Sequence, residues 1–182
     1  MTTPDVSIAM MEGLVARFRD LRGSNEAFLD QRIPGYRRRI INLIGMGVTE
    51  KQGDPALRPN IPTPAHGFAT AIAQCDPGEG AALHAHPTEE IFMPLVSRFA
   101  IVWLTSEGSK EITLDPFDTV SVPTGIYRGF RNVGNERGSL FAVIGGPDTG
   151  KVSWHPSVIE EARATGLTVD DRGVLQGAPP PA

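Results

Sequence analysis

Residues 78–90 have the sequence GEGAALHAHPTEE, which contains two of the four histidines of the chain, His84 and His86. Side chains on an extended strand alternate between its two faces, so His84, His86 and Glu90 would point to the same side and Glu89 would point away. Two imidazoles and one carboxylate, with room for further ligands, suit iron, manganese, nickel or zinc. The spacing therefore predicts a site for one divalent metal ion.

The chain around this stretch has β character as far as about residue 145. Short segments with strand-like composition follow one another, separated by turns that contain Pro, Gly, Asn and Asp. Such regular spacing indicates a sandwich or a closed barrel. The clearest turn lies at residues 106–109. The predicted strands are 68–74, 80–86, 90–96, 99–105, 110–114, 119–122, 127–132 and 139–144.

The segments on either side of this β region predict a smaller number of elements. Residues Ile8 to Phe18 have apolar side chains at helical spacing and predict a helix that Gly23 can end. Residues 39–44 predict a strand, and the proline-rich stretch 51–64 predicts an irregular loop. Near the other end, Ser157 and Glu160 form a capping box that predicts a helix ending at Gly166.

The length of 182 residues predicts one structural domain with three parts. Residues 1–65 would provide a helix, a strand and a loop that pack on the barrel, which would occupy residues 66–146. Residues 147–182 would add the second helix and a disordered tail from residue 177 onward.

Composition limits the classes of function. A net charge of −4 argues against a nucleic-acid binder, and the basic run Tyr36–Arg39 is interpreted as a solvated strand end. The single cysteine, Cys75, excludes an internal disulfide and is interpreted as a packed apolar side chain in a protein of a reducing compartment. No apolar run has the length of a signal core or a membrane span, so we expect a cytoplasmic protein.

The stretch at 78–90 resembles the first sequence motif of the cupin superfamily. That motif consists of Gly, five residues, His-x-His, three residues, Glu, six residues and Gly. Gly78, His84, His86 and Glu90 fit this pattern, and Ser97 stands where the last Gly is expected.

The second cupin motif consists of Gly, five residues, Pro-x-Gly, two residues, His, three residues and Asn. Pro123, Gly125 and Asn132 are in register with it. Phe117 occupies the position of the leading Gly, and Arg128 occupies the position of the histidine. The two motifs appear in the expected order, and the resemblance covers roughly residues 66 to 146.

The resemblance implies an all-β core, a single jelly-roll or double-stranded β-helix barrel, with an N-terminal helix and a short C-terminal helix. It also implies a site in the barrel mouth and a tendency to form homodimers. In relatives, the three ligands of the first motif and the histidine of the second bind one divalent metal ion. This chain supplies three of the four, namely His84, His86 and Glu90, so the metal site carries over only in part.

Arg128 is therefore the residue on which the functional prediction depends. Its guanidinium cannot bind a metal ion, and a divalent ion about 5 Å away would repel it by on the order of 5 kcal/mol. In one arrangement, the metal is held by three ligands and Arg128 binds the carboxylate or phosphate of a substrate. In a second, no metal binds and Arg128 pairs with Glu90. In a third, a β-bulge turns Arg128 outward.

Three functions remain open from the sequence. The first is a metal-dependent enzyme, oxygenase-like or lyase-like, that acts on a small anionic organic acid with Arg128 as a substrate-binding residue. The second is a metal-free ligand-binding or regulatory cupin, and the third is a sugar-phosphate isomerase of the cupin type. A barrel aromatic such as Phe130, if it shares the face of Arg128, would favour an aromatic or short-chain carboxylic acid.

Overall fold

A computed structural model describes residues 5–46, 49–63, 66–146 and 152–177 of the chain. Twelve strands and two α-helices are formed there, with short 3-10 turns at Phe18–Asp20, Leu29–Arg32 and Pro55–Leu57. The elements are α1 (Ile8–Glu12), β1 (Arg39–Ile44), β2 (Phe68–Cys75), β3 (Gly80–Ala85), β4 (Glu90–Val96), β5 (Phe99–Thr105), β6 (Gly108–Leu114), β7 (Val120–Val122), β8 (Arg128–Asn132), β9 (Gly138–Gly145), β10 (Ser153–Trp154), α2 (Pro156–Ala164), β11 (Thr168–Val169) and β12 (Leu175–Gln176).

Two antiparallel five-stranded sheets form the barrel. One has the strand order β1-β2-β9-β4-β7 and the other has the order β10-β3-β8-β5-β6. Several pairs of strands that are consecutive in the chain, such as β3 and β4, therefore lie in opposite sheets, as in a jelly roll. The all-β fold predicted from the sequence is confirmed, and β1 and β10 extend the two sheets beyond residues 66–146.

The inner faces of the two sheets are apolar and pack against each other. Phe92 of β4 and Phe130 of β8 meet edge to face with ring centroids 5.5 Å apart, and Phe99 of β5 contacts Phe130 from the other side. Leu140 of β9 is fully buried beside them. Burial of such side chains stabilises the barrel by roughly 1.5–3 kcal/mol each, so this cluster holds the two sheets together.

Strands β3 and β8 approach each other unusually closely at the start of β3. A Cβ atom on Gly80 would lie 1.8 Å from the carbonyl oxygen of Phe130, so no other residue fits at this position. Further along, a β-bulge between Ala81 and His84 adds one residue to β3 and brings His84 opposite Arg128. The bulge therefore sets which residues of β3 and β8 face each other in the barrel.

Two positions at which the cupin motifs expect glycine have a left-handed backbone in this chain. Ser97 has a φ angle of 67° and Phe117 has a φ angle of 72°. This conformation costs a residue with a side chain roughly 1–2 kcal/mol relative to the right-handed region. The turns thus keep the backbone geometry of the motifs although the glycines are absent.

Asn132 of the second motif ties three turns together. Its amide donates to the carbonyl oxygens of Cys75 (3.0 Å) and Glu136 (2.8 Å). Its Oδ1 accepts from Ser97 Oγ (2.9 Å) and from the Gly134 amide (3.0 Å). Because all of these groups lie at one end of the barrel, the role of Asn132 is structural.

The N-terminal helix is shorter than the sequence predicts. α1 ends at Glu12, and the apolar side chains of Ile8, Met11 and Phe18 are 54–80% exposed. An isolated helix of this length gains little without packing on another element, and none of its residues is buried. The prediction of a helix as far as Gly23 was therefore wrong for residues 13–23.

The C-terminal helix begins at a different residue from the one predicted. His155, rather than Ser157, is the N-cap of α2, and its side chain accepts a hydrogen bond from the Ser157 amide. Pro156 at the first helical position fixes a suitable backbone angle. The helix ends at Ala164, just before Gly166, whose φ angle is 80°. Residues 178–182 of the predicted disordered tail lie outside the described residues.

Candidate functional site

The two sheets bring together the three side chains that the sequence predicts as metal ligands. His84 lies on β3, His86 directly follows this strand, and Glu90 is the first residue of β4 in the opposite sheet. One possible ligand atom from each residue lies within 4.8 Å of the other two. All three side chains are buried, whereas Glu89 is exposed. This is the only cluster of its kind among the described residues.

The imidazole of His84 is held in one orientation. Its Nδ1 donates to the carbonyl oxygen of Ala82 over 2.7 Å, so Nε2 carries the lone pair that can bind a metal. Burial, followed by the positive charge of Arg128, lowers the pKa of His84 well below its usual value. His84 is therefore neutral near pH 7, which is the form that binds metals.

Glu90 forms an ion pair with Arg128 inside the barrel. Arg128 Nε donates to Glu90 Oε2 over 2.9 Å, and Nη2 donates to the same oxygen. A third hydrogen bond of 3.1 Å runs from Arg128 Nη1 to the carbonyl oxygen of His84. Because both contacts to Glu90 reach Oε2, Oε1 remains the oxygen that can bind a metal.

This pair is almost completely removed from solvent. The side chain of Arg128 is 2% exposed and that of Glu90 is 5% exposed. Burial raises the pKa of Glu90, and the charge and hydrogen bonds of Arg128 oppose that rise. The outward orientation that a bulge could have given Arg128 does not occur, since the bulge lies in β3 and Arg128 points into the barrel.

A small cavity of about 60 Å³ lies beside the three ligands. This exceeds the roughly 10–15 Å³ that one water molecule needs, so the cavity can hold at least one water molecule. His84, His86 and Glu90 are on one side of it, and the rest of its wall is largely apolar, with Phe92, Phe130 and small alanine side chains. Any ligand bound there must be small.

A second buried ion pair at the wall of this cavity was not predicted. Arg38, which the sequence analysis placed in a solvated strand end, is 6% exposed, and its Nη1 donates to Asp30 Oδ2 over 2.8 Å. Its guanidinium lies between the rings of Phe28 and Phe130. The interpretation of the basic run was wrong at this residue. Strand parity does not single it out, since the adjacent Ile40 and Ile41 of β1 are both buried.

A buried glutamate supports the cluster from outside. The ring of Trp154 lies 5.5 Å from that of His84, and its Nε1 donates to Glu50 Oε1 over 2.6 Å. Glu50 Oε2 accepts from the amide of Leu29. Burial raises the pKa of Glu50 to about 7. Neither Glu50 nor Trp154 was singled out from the sequence, since no local motif connects them.

The remaining candidates have structural positions. His66 is exposed, and Cys75 is buried in the core, where burial raises the pKa of its thiol to about 12. Phe117 is 71% exposed and lines neither the small cavity nor a second one, which Trp103 faces. No helix among the described residues is both long and apolar enough to span a membrane.

The ligand set fits a divalent metal ion after a small adjustment. Two ligand atoms about 2.0–2.2 Å from one ion are at most roughly 4.4 Å apart, and the ligand atoms of this cluster all lie within 4.8 Å of one another, so little movement is needed. The neutral imidazole of His84 and the carboxylate of Glu90 are the donor types that such ions accept. The charge of Arg128 opposes the ion, and its hydrogen bonds to Glu90 Oε2 keep it at the far side of the carboxylate.

Comparisons with known proteins give matches among solved structures. No family model and no curated protein matches the chain. A structure of oxalate oxidase has a TM-score of 0.56 and 19% identity, covering 87% of this chain and 71% of its own. Two structures of oxalate decarboxylase also match, a mutant from Bacillus subtilis and a formate complex from Lactobacillus farciminis.

The two decarboxylases have TM-scores of 0.52 and 0.50 and identities of 14% and 19%. The matches cover 75% and 72% of this chain. The chain spans about a third of their length, 31% and 32% respectively. At this level of identity, the likeness concerns the fold.

Proposed function

Since the chain has the cupin fold, we propose that it is an enzyme that binds a divalent metal ion through His84, His86 and Glu90 and acts on a small carboxylic acid. The observation that carries this proposal is the convergence of three buried ligand atoms within 4.8 Å beside a cavity. The fixed tautomer of His84 supports it, because Nε2 is already presented as a ligand.

The size of the cavity and the similar structures support a small acid as the substrate. The cavity of about 60 Å³ suits a molecule with few heavy atoms. Oxalate and formate, which belong to the names of the similar structures, are acids of this size. When bound, the metal ion would supply Lewis-acid or redox chemistry of the oxygenase-like or lyase-like kind.

The residues of this chain have distinct roles in the proposal. His84, His86 and Glu90 Oε1 hold the ion, and the apolar wall around Phe92 excludes water from it. Arg128 is the substrate-binding residue, because a guanidinium recognises a carboxylate through two parallel hydrogen bonds. Its hydrogen bonds to Oε2 also orient Glu90.

The test is the metal content of the purified protein. Protein loaded with Mn²⁺ or Fe²⁺ and then desalted is expected to retain close to one ion per chain, and a His84→Ala variant is expected to retain little. His66→Ala is the matched control, because His66 is an exposed histidine far from the cluster in sequence. Equal metal contents in all three proteins, or none in any, would refute the proposal.

A metal-free ligand-binding cupin is the second candidate, and the Arg128–Glu90 ion pair favours it. In that case, Arg128 balances the charge of Glu90 permanently, and the histidines bind the ligand by hydrogen bonds. Thermal unfolding separates the two candidates, since added Mn²⁺ would raise the melting temperature of a metalloenzyme but not that of a metal-free binder.

We also infer that the chain forms a homodimer. Six large apolar side chains between Ile8 and Phe18 are 44–80% exposed, and Phe68 and Ile91 are exposed on the outer face of one sheet. Such an apolar surface marks an interface, and the same patch on a second copy would cover it. Light scattering should give twice the chain mass of 19.5 kDa. Phe18→Ser, compared with Val133→Ser as a control, should weaken the dimer.

A further inference from the structure

We propose that a second cavity, on the other side of Arg128, holds the hydrocarbon body of a monocarboxylic acid whose carboxylate contacts Arg128. This inference rests on the proposed function for its acid, and it makes the substrate class narrower. Within the proposed class of small carboxylic acids, the substrate would be one with a short aliphatic or aromatic body.

The second cavity is large and apolar. Its volume is about 440 Å³, within the range of about 300–1,000 Å³ that is usual for small-molecule sites. Apolar side chains from β5, β6 and β7 and from the segment before β8 form most of its wall. They include Ile101, Trp103, Ile112, Val120, Val122 and Ile126.

Arg128 stands between this cavity and the metal-ligand cluster. It lines the second cavity, whereas His84, His86 and Glu90 line the smaller one. Its backbone lies opposite His84 on one neighbouring strand and opposite Trp103 on the other. A ligand in the second cavity would therefore meet one buried cation, with the proposed metal site directly behind it.

Arg128 has hydrogen-bonding capacity left for a ligand. A guanidinium has five N–H donors, and three of them are used in the hydrogen bonds to Glu90 and to the carbonyl oxygen of His84. One N–H on Nη1 and one on Nη2 remain as donors for a carboxylate. The side chain is 2% exposed, so water competes little for these donors.

The charges at the site couple the acid to the metal. Without a metal ion, Glu90 already balances the charge of Arg128, and a second carboxylate would leave an excess negative charge in a buried place. A divalent ion at His84, His86 and Glu90 reverses this, since the cluster then has a net positive charge. Each of the two ligands should therefore bind more tightly in the presence of the other.

Hexanoate, 1-hexanol and formate are the probes that separate these contributions. Hexanoate has both the body and the carboxylate, hexanol has only the body, and formate has only the carboxylate. Their affinities for the full chain are measured by calorimetry with and without saturating Mn²⁺. With Mn²⁺ bound, we expect hexanoate to bind roughly tenfold or more tightly than formate, because several methylene groups leave water. It should also bind more tightly than hexanol, because only its carboxylate can pair with Arg128. We also expect Mn²⁺ to strengthen the binding of hexanoate but not of hexanol.

Val120→Phe tests the location, because it places a ring in the second cavity. We expect it to weaken hexanoate binding roughly tenfold, in keeping with the loss of the space for two methylene groups. The metal content and the affinity for formate should not change. Val133→Phe is the matched control, since Val133 is exposed and does not line this cavity. Melting curves of both variants show that they are folded.

The outcomes distinguish this inference from the proposed function. The inference fails if hexanoate binds no better than formate, or if Val120→Phe and Val133→Phe have the same effect, even when the protein holds its metal. If no metal binds but Val120→Phe still weakens hexanoate binding, the second cavity is the site of the body and the metal-dependent function is wrong.

Discussion

Two arginine–carboxylate pairs are buried in the same barrel, and their surroundings differ. Arg38 Nη1 donates to Asp30, to the carbonyl oxygen of Tyr36 and to that of Gly80. Asp30 Oδ2 accepts in addition from the amide of Ala82. This pair is thus joined to the backbone of β3 and of the segment before β1, and Asp30 itself lies in a 3-10 turn, so the pair connects the N-terminal part of the chain to β3.

The pair of Arg128 and Glu90 has fewer contacts with the backbone and lies beside two histidines. Arg128 reaches one carbonyl oxygen, that of His84, and Glu90 belongs to the cluster of His84, His86 and Glu90 that could hold a metal ion. A metal ion at Glu90 Oε1 could take over from Arg128 the balancing of the charge of Glu90, whereas among the described residues no cluster of metal-binding side chains includes Asp30. A buried ion pair can thus connect two parts of the fold permanently, or it can hold a carboxylate in a position where a metal ion could also bind it.

We expect the largest effect on stability when the ion pair between Arg38 and Asp30 is broken. Arg38→Leu leaves the carboxylate of Asp30 buried without its cation, so it should lower the free energy of unfolding by about 3–5 kcal/mol. Urea unfolding measures this change. Arg37→Leu is the control, because Arg37 is the arginine next to Arg38, is exposed and should contribute little to stability. A loss below about 1 kcal/mol in Arg38→Leu would contradict a structural role for this pair.

Glu50 provides a buried carboxylate that has no guanidinium as a hydrogen-bond partner. Burial raises its pKa from 4.5 to about 7, so the folded protein holds a proton that the unfolded chain releases. The contribution to stability is therefore complete below pH 4.5 and is lost as the pH rises through 7, by up to about 3 kcal/mol. Glu50→Gln should remove this loss.

Urea unfolding of wild type and Glu50→Gln at pH 5 and pH 8 measures the effect of Glu50. The difference between the two proteins should change between these pH values, whereas Glu89→Gln, at an exposed glutamate, should follow the wild type. A parallel pH dependence of all three proteins would show that Glu50 does not titrate in this range.

Arg128→Leu tests whether the second pair is exchangeable. Without metal, the variant should be destabilised because Glu90 has lost its cation. At one fixed Mn²⁺ concentration, this variant should gain more stability than the wild type does; at a hundred times its dissociation constant, the gain is about 2.7 kcal/mol. The variant should also bind Mn²⁺ more tightly than the wild type, since the repulsion by Arg128 is gone. Arg38→Leu, in contrast, should gain from Mn²⁺ only as much as the wild type. If Mn²⁺ did not change the stability of Arg128→Leu, the Arg128–Glu90 pair would be a fixed connection like the Arg38–Asp30 pair.

We expect the smallest effect on stability for an ion pair on the surface whose N–O distance is about as short as that of Arg38 and Asp30. Arg98 Nε lies 2.7 Å from Asp115 Oδ1, and both side chains are more than half exposed. Arg98→Leu should change the free energy of unfolding by less than about 1 kcal/mol, because water screens the pair. Urea unfolding at low and high salt measures it. A loss as large as that in Arg38→Leu would mean that distance, and not burial, determines the effect.

The strands could be predicted from the sequence because alternation and turn residues are local. β1, β4 and β5 have the predicted bounds. The choice of Glu90 over Glu89 agrees with the metal-ligand cluster, but the reason differs from the one given by parity. β4 lies in the opposite sheet, so Glu90 faces the histidines across the barrel, and the alternation of a single strand does not continue through Pro87.

The features that the sequence did not predict depend on contacts distant in the chain. Arg38 is buried because Asp30, Phe28 and Phe130 surround it, and nothing in a run of arginines indicates which one will turn inward. Glu50 meets Trp154 across more than a hundred residues. The prediction of a longer α1 was wrong for the opposite reason. Its helical pattern is present in the sequence, but no surface of the described chain covers it.

The chain contains two tryptophans, and each of them faces a different cavity. The indole of Trp154 contacts the imidazole of His84 beside the metal-ligand cluster, and Trp103 lines the larger apolar cavity next to Arg128. The intrinsic fluorescence of the protein thus has two sources, one beside each cavity. In Trp103→Phe, the remaining Trp154 fluorescence would report metal binding, and in Trp154→Phe, the remaining Trp103 fluorescence would report binding of the organic ligand. Stopped-flow fluorescence of the two variants could then give the order in which metal and ligand bind.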